Sequence, residues 1–281
     1  MRDKMERPSY LTWLIEEDGV ILDNGEPIKC YKLDYTDDEE IVDAWAVHIR
    51  RHYISDKELA ESCDELDMTP EEYLKQNVIP QKGEDKMAGT ARSNGISEIL
   101  FSDLLEFVYD LEVPRCRMDN MSGKTVSEHG TDVIGYKFNN SDKTPDVKDR
   151  LVTLEVKAGL TQTTTEVIEK AVIDANKDEY RLSQSLDYMR KKLKRMNKKD
   201  EAKDILRFQR KDRVDYKLEN YAAGMSSLEQ IPENIVDEVK RKIIPEIVGD
   251  ELRLKGNAGI YYVHGKKLMD LAHKIYDRCV R

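Results

Sequence analysis

No stretch of 18 apolar residues occurs in the chain, and the opening "MRDKMERPSY" has no apolar core of the kind a secretion signal carries. This absence predicts a protein that neither crosses nor enters a membrane, and with it a cytoplasmic setting. Cysteine gives no framework either, because Cys30, Cys63, Cys116 and Cys279 lie far apart with no CxxC pair. That spacing disfavours a thiolate zinc site and a disulfide scaffold, and predicts reduced structural thiols. There is no internal repeat, and positive charge is in deficit, with a net charge of −10. A negative mean field repels polyanions, so indiscriminate nucleic-acid binding is excluded unless basic residues are locally concentrated.

They are concentrated once. From Arg190 to Arg213 there are twelve Lys/Arg against four Asp/Glu. Such a run reads either as the solvated face of a helix or as a phosphate-contacting surface built on Lys191, Lys192, Lys194, Arg195, Lys198 and Lys199. The 281 residues, 39% of them hydrophobic, suffice for one large domain or two modest ones.

Along the chain, "SYLTWLI" and "IKCYKLDY" read as strands joined through turn-rich "EEDG" and "DNGEP". Thr36, three residues before Glu39, has capping-box spacing for a helix over "EEIVDAWAVHIRRHYI", and Thr69-Pro70 marks a second helix start. Pro80 and the polar "QKGEDKMAGTARSNG" break the pattern and place a boundary near residue 85. An N-terminal α+β subdomain, 1–85, is therefore expected before a second unit, 86–281. From Gly95 the apolar residues Ile96, Ile99, Leu100, Leu104, Leu105 and Val108 have helical spacing, with Glu98 in the first turn. "TDVIGYKF" and "RLVTLEVK" then flank a polar connection as an antiparallel hairpin. After Gly159 the chain reads as mostly helical to about residue 220, with a helical insertion over about 190–250. A strand, "AGIYYVHG", and a closing helix finish it.

The hairpin carries charges where a buried strand normally carries Val or Ile. Acid-x-Lys occurs six times in the chain, so spelling alone decides nothing. In a strand, residues i and i+2 face the same way, whereas on a helix they diverge by about 200°. Glu155-Val-Lys157 alone sits in a convincing strand, with Val152, Leu154 and Val156 on an apolar face and Glu155 and Lys157 sharing the other. Pro145-Asp146-Val-Lys148 lies in the hairpin connection with no apolar strand before it. A neighbouring strand brings Asp132 alongside Glu155, with Glu98 approaching from the preceding helix. Clustered carboxylates repel one another unless a cation joins them, and all-oxygen ligands favour Mg²⁺ or Mn²⁺. Taken singly, Glu98 also fits as a helix-dipole residue, Asp132 as a turn closer, and Glu155 with Lys157 as a surface ion pair.

The order of these parts resembles the PD-(D/E)xK nuclease superfamily: a helix with Glu98, a strand with Asp132, a strand with Glu155-x-Lys157, then a helix. The resemblance implies an α+β protein with an α/β core, a restriction-endonuclease-like mixed sheet flanked by helices. It implies metal binding by Asp132, Glu155 and Glu98, and assistance of the attack by Lys157. "QSLDY" places Gln184 and Tyr188 in the QxxxY arrangement of RecB-like members, where it helps position substrate. "ARSNGISEILFSDLL", "HGTD" and "LEVKAGL" together are similar to the DUF1837, or HamA, family of nuclease subunits of Hachiman anti-phage systems. That likeness implies a Mg²⁺-dependent DNA nuclease restrained within a complex by a superfamily 2 helicase partner, HamB-like. It leaves as the alternative an inert nuclease fold that holds DNA or regulates that helicase.

Histidine adds little at this stage. His48 and His52 are four apart in "HIRRH", with no glutamate between them and no evident third ligand, which predicts packing rather than zinc binding. His129 directly precedes "GTD" and is a candidate for contact with a phosphate.

Overall fold

The computed structural model describes residues 6–21, 27–119, 121–126, 130–176, 178–210, 215–231 and 259–281. Its centre is one six-stranded mixed sheet made of β1 (Leu14–Ile21), β2 (Pro27–Leu33), β3 (Val133–Lys137), β4 (Arg150–Gly159), β5 (Lys217–Ser226) and β6 (Ile260–His264). The spatial order is β1-β2-β6-β5-β4-β3. β2, β6, β5 and β4 run parallel, and β1 and β3 close the two edges antiparallel. The chain is thus α+β around an α/β core. The first two strands join the same sheet as the rest, through β2 against β6.

Helices cover both faces. On one face lie α1 (Glu39–Tyr53), α4 (Ala88–Asp103) and α8 (Leu268–Arg278), whose Trp45, Ile99 and Ile275 share a core with Val152, Leu154 and Val156. Before them, α2 (Asp56–Leu66) and α3 (Pro70–Tyr73) follow α1. On the opposite face α5 (Glu166–Ala175) lays Val167, Ile168 and Val172 against β2, β5 and β6. Alongside it, α6 (Asp178–Arg195) and α7 (Lys199–Phe208) bury Leu186, Leu193, Ile205 and Phe208 against Ile134, Tyr136 and Leu151 of the hairpin. Among the described residues no helix is long and apolar enough to cross a membrane.

Several local expectations change. Ser9–Trp13 is a 3₁₀ turn and the strand begins at Leu14, so "EEDG" lies inside β1, at a register irregularity between Glu17 and Val20. Asp38, not Thr36, caps α1, because its carboxylate accepts from the amides of Glu40 and Ile41. Thr69 is the expected cap before Pro70, and with Glu72 it closes a capping box, the motif expected at Thr36 and Glu39 instead. The polar stretch before Gly95 is helical from Ala88, so Glu98 stands mid-helix rather than in a first turn. Asp85 makes this start possible by accepting from the amides of Met87 and Ala88 at 2.7 Å each. Arg92, fully buried, then ties α4 to the Pro80 carbonyl and to Asp277 of α8, both at 2.7 Å.

Gly95 is where α4 crosses the hydrogen-bonded Tyr53–Tyr276 pair, and a Cβ there would overlap both hydroxyls. Lys217–Ser226, expected within a helical insertion, is instead the inner strand β5. Its Gly224 has no room for a Cβ because Val167 and Ile168 of α5 press directly onto the strand, and Ala222 packs in the same cluster. The end of the expected insertion, from residue 232, lies outside the described residues.

Candidate active site

The hairpin has the expected antiparallel register, with Val133 opposite Leu154 and Gly135 opposite Val152. Asp132 stands immediately before the first paired residue. Its Oδ2 accepts from the Val156 amide at 2.9 Å, which fixes this carboxylate beside Glu155. The turn that delivers it depends on Gly130, whose φ of +106° is a left-handed value, and on close approach to α6. A Cβ on Gly130 would lie 2.9 Å from Ser185 Oγ, the same oxygen that accepts from the Thr131 amide at 3.1 Å. The "GTD" of the sequence is therefore a backbone device that aims Asp132.

Glu98 comes from α4 and meets Asp132 at the sheet edge. The two carboxylates converge on one cation, Arg117, whose Nε is 3.0 Å from Glu98 and whose terminal nitrogen is 2.8 Å from Asp132. The same guanidinium donates to the carbonyls of Gly130 at 3.2 Å and Thr131 at 2.8 Å. Lys192 Nζ holds the Arg117 carbonyl at 2.9 Å and the Tyr188 hydroxyl at 3.1 Å. Glu98, Arg117, Thr131, Asp132, Ser185 and Tyr188 line one cleft.

Glu155 lies behind this lining, 5% exposed, in a strand buried on both faces. The expected wet face of β4 is thus covered by α5 and α6, and Glu155 is a buried charge that needs compensation. Lys157 Nζ is 3.9 Å from Glu155 and 2.7 Å from Asp174 of α5. Burial works against the Lys157 charge, yet Asp174, Asp132 and Glu155 together hold its pKa above the ordinary value. Burial likewise opposes the Arg117 charge, and Glu98, Asp132 and Glu155 outweigh it. Burial and the nearby Asp132 charge push Glu98 up to about 8, with Arg117 pulling the other way. The donor set around Arg117 is all oxygen, and its geometry is that of carboxylates gathered on a positive charge. Glu98 and Asp132 offer the oxygen donors that suit a hard divalent cation, but together with Glu155 they do not bring three ligand atoms within 4.8 Å of one another, as His48, His52 and Asp103 do.

The structure brings Glu98, Asp132, Glu155 and Lys157 into one electrostatic cluster. Gln184 is solvent-exposed, while Tyr188 lines the cleft. His129 lies outside the described residues. Of the basic run, Lys191 pairs with Asp187 at 2.6 Å, and Lys194, Arg195 and Lys199 are exposed. Lys198 is half-buried. Lys192 does not belong to that surface, because it is 6% exposed and turned inward to Arg117 and Tyr188. Sequence alone gave no signal for Arg117 or Asp174. Arg117 sits in a segment without periodicity, and Asp174 looks like one more helix charge.

A second cluster lies next to the first. His48, His52 and Asp103 present ligand atoms within 4.8 Å of one another, so the third residue missing from the sequence is Asp103, at the end of α4. Arg115 already serves this group, 2.7 Å from Asp103 and 3.3 Å from His52, and Tyr10 donates to the same Asp103 carboxylate. Burial alone would raise Asp103, but Arg115 and His48 hold it well below the usual carboxylate range. Burial, then Arg115 and His48, push His52 well below its ordinary value. Neutral His52 and ionised Asp103 thus form a buried polar network, neutralised by Arg115, that packs α1 on α4.

A family model described as HamA matches residues 8–279 of the chain. No curated protein matches it.

Proposed function

The chain belongs to the HamA family, and from that premise and the cleft we propose that it is a metal-dependent deoxyribonuclease of anti-phage defence, working with a superfamily 2 helicase partner. The observation that carries this reading is the convergence of Glu98 and Asp132 on one positive charge, beside the strand that bears Glu155 and Lys157. Asp132, Glu155 and Glu98 are the residues that would hold Mg²⁺ or Mn²⁺. Bound there, the ion supplies a Lewis acid for the phosphate and lowers the pKa of an attacking water.

The remaining work falls to the protein. Asp132 is locked in place by the Val156 amide and by the Gly130 turn, so the acid needs no reorganisation when substrate arrives. Lys157, kept protonated between Asp174, Asp132 and Glu155, steadies negative charge as it develops on the attacked phosphodiester. Tyr188 lines the cleft where a strand would lie, and exposed Gln184 stands one turn away. The exposed Lys194, Arg195 and Lys199 offer phosphate contacts farther along α6 and α7.

The test is cleavage of supercoiled and linear DNA by the purified chain, alone and with its helicase partner, in Mg²⁺ and then in chelator. Cleavage abolished by chelation supports the nuclease. DNA binding without cleavage under every divalent metal supplied would assign the chain instead as an inert DNA-holding or regulatory subunit.

A further inference from the structure

Arg117 occupies the place between the two carboxylates with unusual completeness. Its side chain meets Glu98 at 3.0 Å, Asp132 at 2.8 Å, and the carbonyls of Thr131 and Gly130 at 2.8 and 3.2 Å. The backbone of the same residue is fixed by Lys192 through its carbonyl. A guanidinium and a divalent ion draw on the same lone pairs of Glu98 and Asp132, because each uses the charge and the in-plane oxygens of a carboxylate. Both cannot hold this carboxylate pair at once.

We infer that Arg117 is a built-in stand-in for the divalent cation, keeping Glu98 and Asp132 gathered in the metal-free protein and yielding them only when metal displaces its guanidinium. This rests on the metal-dependent reading of the cleft given above. The device has two consequences. Without Arg117, Asp132 would lose its guanidinium partner at a mostly buried site beside Glu98, so the residue stabilises the cleft. With it, metal must compete against an ion pair already made, so the apparent metal affinity is the intrinsic one multiplied by the fraction of molecules in which the pair is open. Because Lys192 fixes the backbone carbonyl, exchange requires movement of the Arg117 side chain rather than of the chain that carries it. Arg117 is thus a positioning residue whose release sets the threshold metal concentration of the site.

The test uses the full chain without DNA and reads metal binding directly. Mn²⁺ is titrated into wild type, Arg117→Gln, Arg117→Lys and Asp132→Asn, followed by calorimetry and by electron paramagnetic resonance of free Mn²⁺. Folding is checked by circular dichroism. Arg117→Gln should bind Mn²⁺ at least about ten-fold more tightly than wild type. Arg117→Lys, which keeps the charge but not the two-pronged grip, should fall between them, and it keeps the test open should Arg117→Gln misfold. The gain should persist in 0.5 M salt, on the order of a 4 Å screening length, which separates displacement from long-range charge removal. Unchanged or weaker binding in Arg117→Gln, with binding lost in Asp132→Asn, overturns the stand-in role and leaves the metal site standing. No Mn²⁺ binding in either wild type or Arg117→Gln overturns the metal site and the stand-in role together.

Discussion

Asp132 Oδ2 accepts a hydrogen bond from the Val156 amide, 2.9 Å away, so an acid just outside one strand is bolted to the residue that follows Glu155 in the next. The bond joins structure to chemistry: the carboxylate that faces Arg117 with one oxygen uses the other to close the hairpin. Asp132→Asn keeps an oxygen able to accept from Val156 and should fold while losing cleavage. Asp132→Ala removes the acceptor as well and should cost about 1–3 kcal/mol of stability, read as a lower urea midpoint. Equal midpoints for the two variants would show that the Val156 bond does not hold the hairpin.

Glu98 makes stability depend on pH in a direction opposite to that of an ordinary surface acid. Its carboxyl titrates at about 8 in the folded chain against 4.5 when unperturbed, raised by burial and by Asp132. Between those values the folded state keeps a proton that the unfolded state releases. Stability therefore falls as pH rises through that window, by up to about 1.4 kcal/mol per pH unit. Glu98→Gln removes the slope, so urea denaturation at pH 5 and pH 8 should show the variant gaining on wild type at the higher pH. Parallel pH courses would contradict the placement of a protonated Glu98. Because that proton must leave when metal binds, Mn²⁺ affinity of the wild type should rise with pH up to about 8.

Gly95 is a packing requirement of α4. Gly95→Ala forces a methyl group onto the Tyr53 and Tyr276 hydroxyls and should destabilise by about 2 kcal/mol or more. Adding Tyr276→Phe removes one of the two obstructing oxygens and should recover part of that loss. No recovery in the double variant would place the strain elsewhere.

Lys192 separates from the basic run in which it is spelled. Lys192→Met leaves the Arg117 carbonyl and the Tyr188 hydroxyl without their donor and should cost about 1–3 kcal/mol. Lys194→Met, on an exposed position, should stay within about 0.5 kcal/mol of wild type. Thermal unfolding of the two variants side by side decides the matter, and equal effects would return Lys192 to the solvated surface.

The legible parts were those in which neighbours in sequence are also neighbours in space. The β3–β4 hairpin, the strand setting of Glu155 and Lys157, and the Thr69 cap before Pro70 all follow from local alternation or spacing. β5 was hidden because a strand buried on both faces under a close helix is built from Ala and Gly rather than from β-branched residues. Arg117, Asp174 and Asp103 were hidden for another reason. Each acquires its role from a contact made across the fold, with Asp132, Lys157 and His48 respectively, and no spacing records that. The polar start of α4 misled because its amides are satisfied by Asp85, three residues before Ala88, rather than by a Ser or Thr cap.

The most direct measurement is the rate of Mg²⁺-dependent DNA cleavage by Glu155→Gln and Lys157→Ala beside wild type, each first shown to be folded. With Glu155 buried beside Asp132 and Lys157 held between Glu155 and Asp174, both variants should lose about a hundredfold or more of the rate while retaining DNA binding. Full Mg²⁺-dependent cleavage by either folded variant would contradict the assignment of this cluster as the nuclease centre.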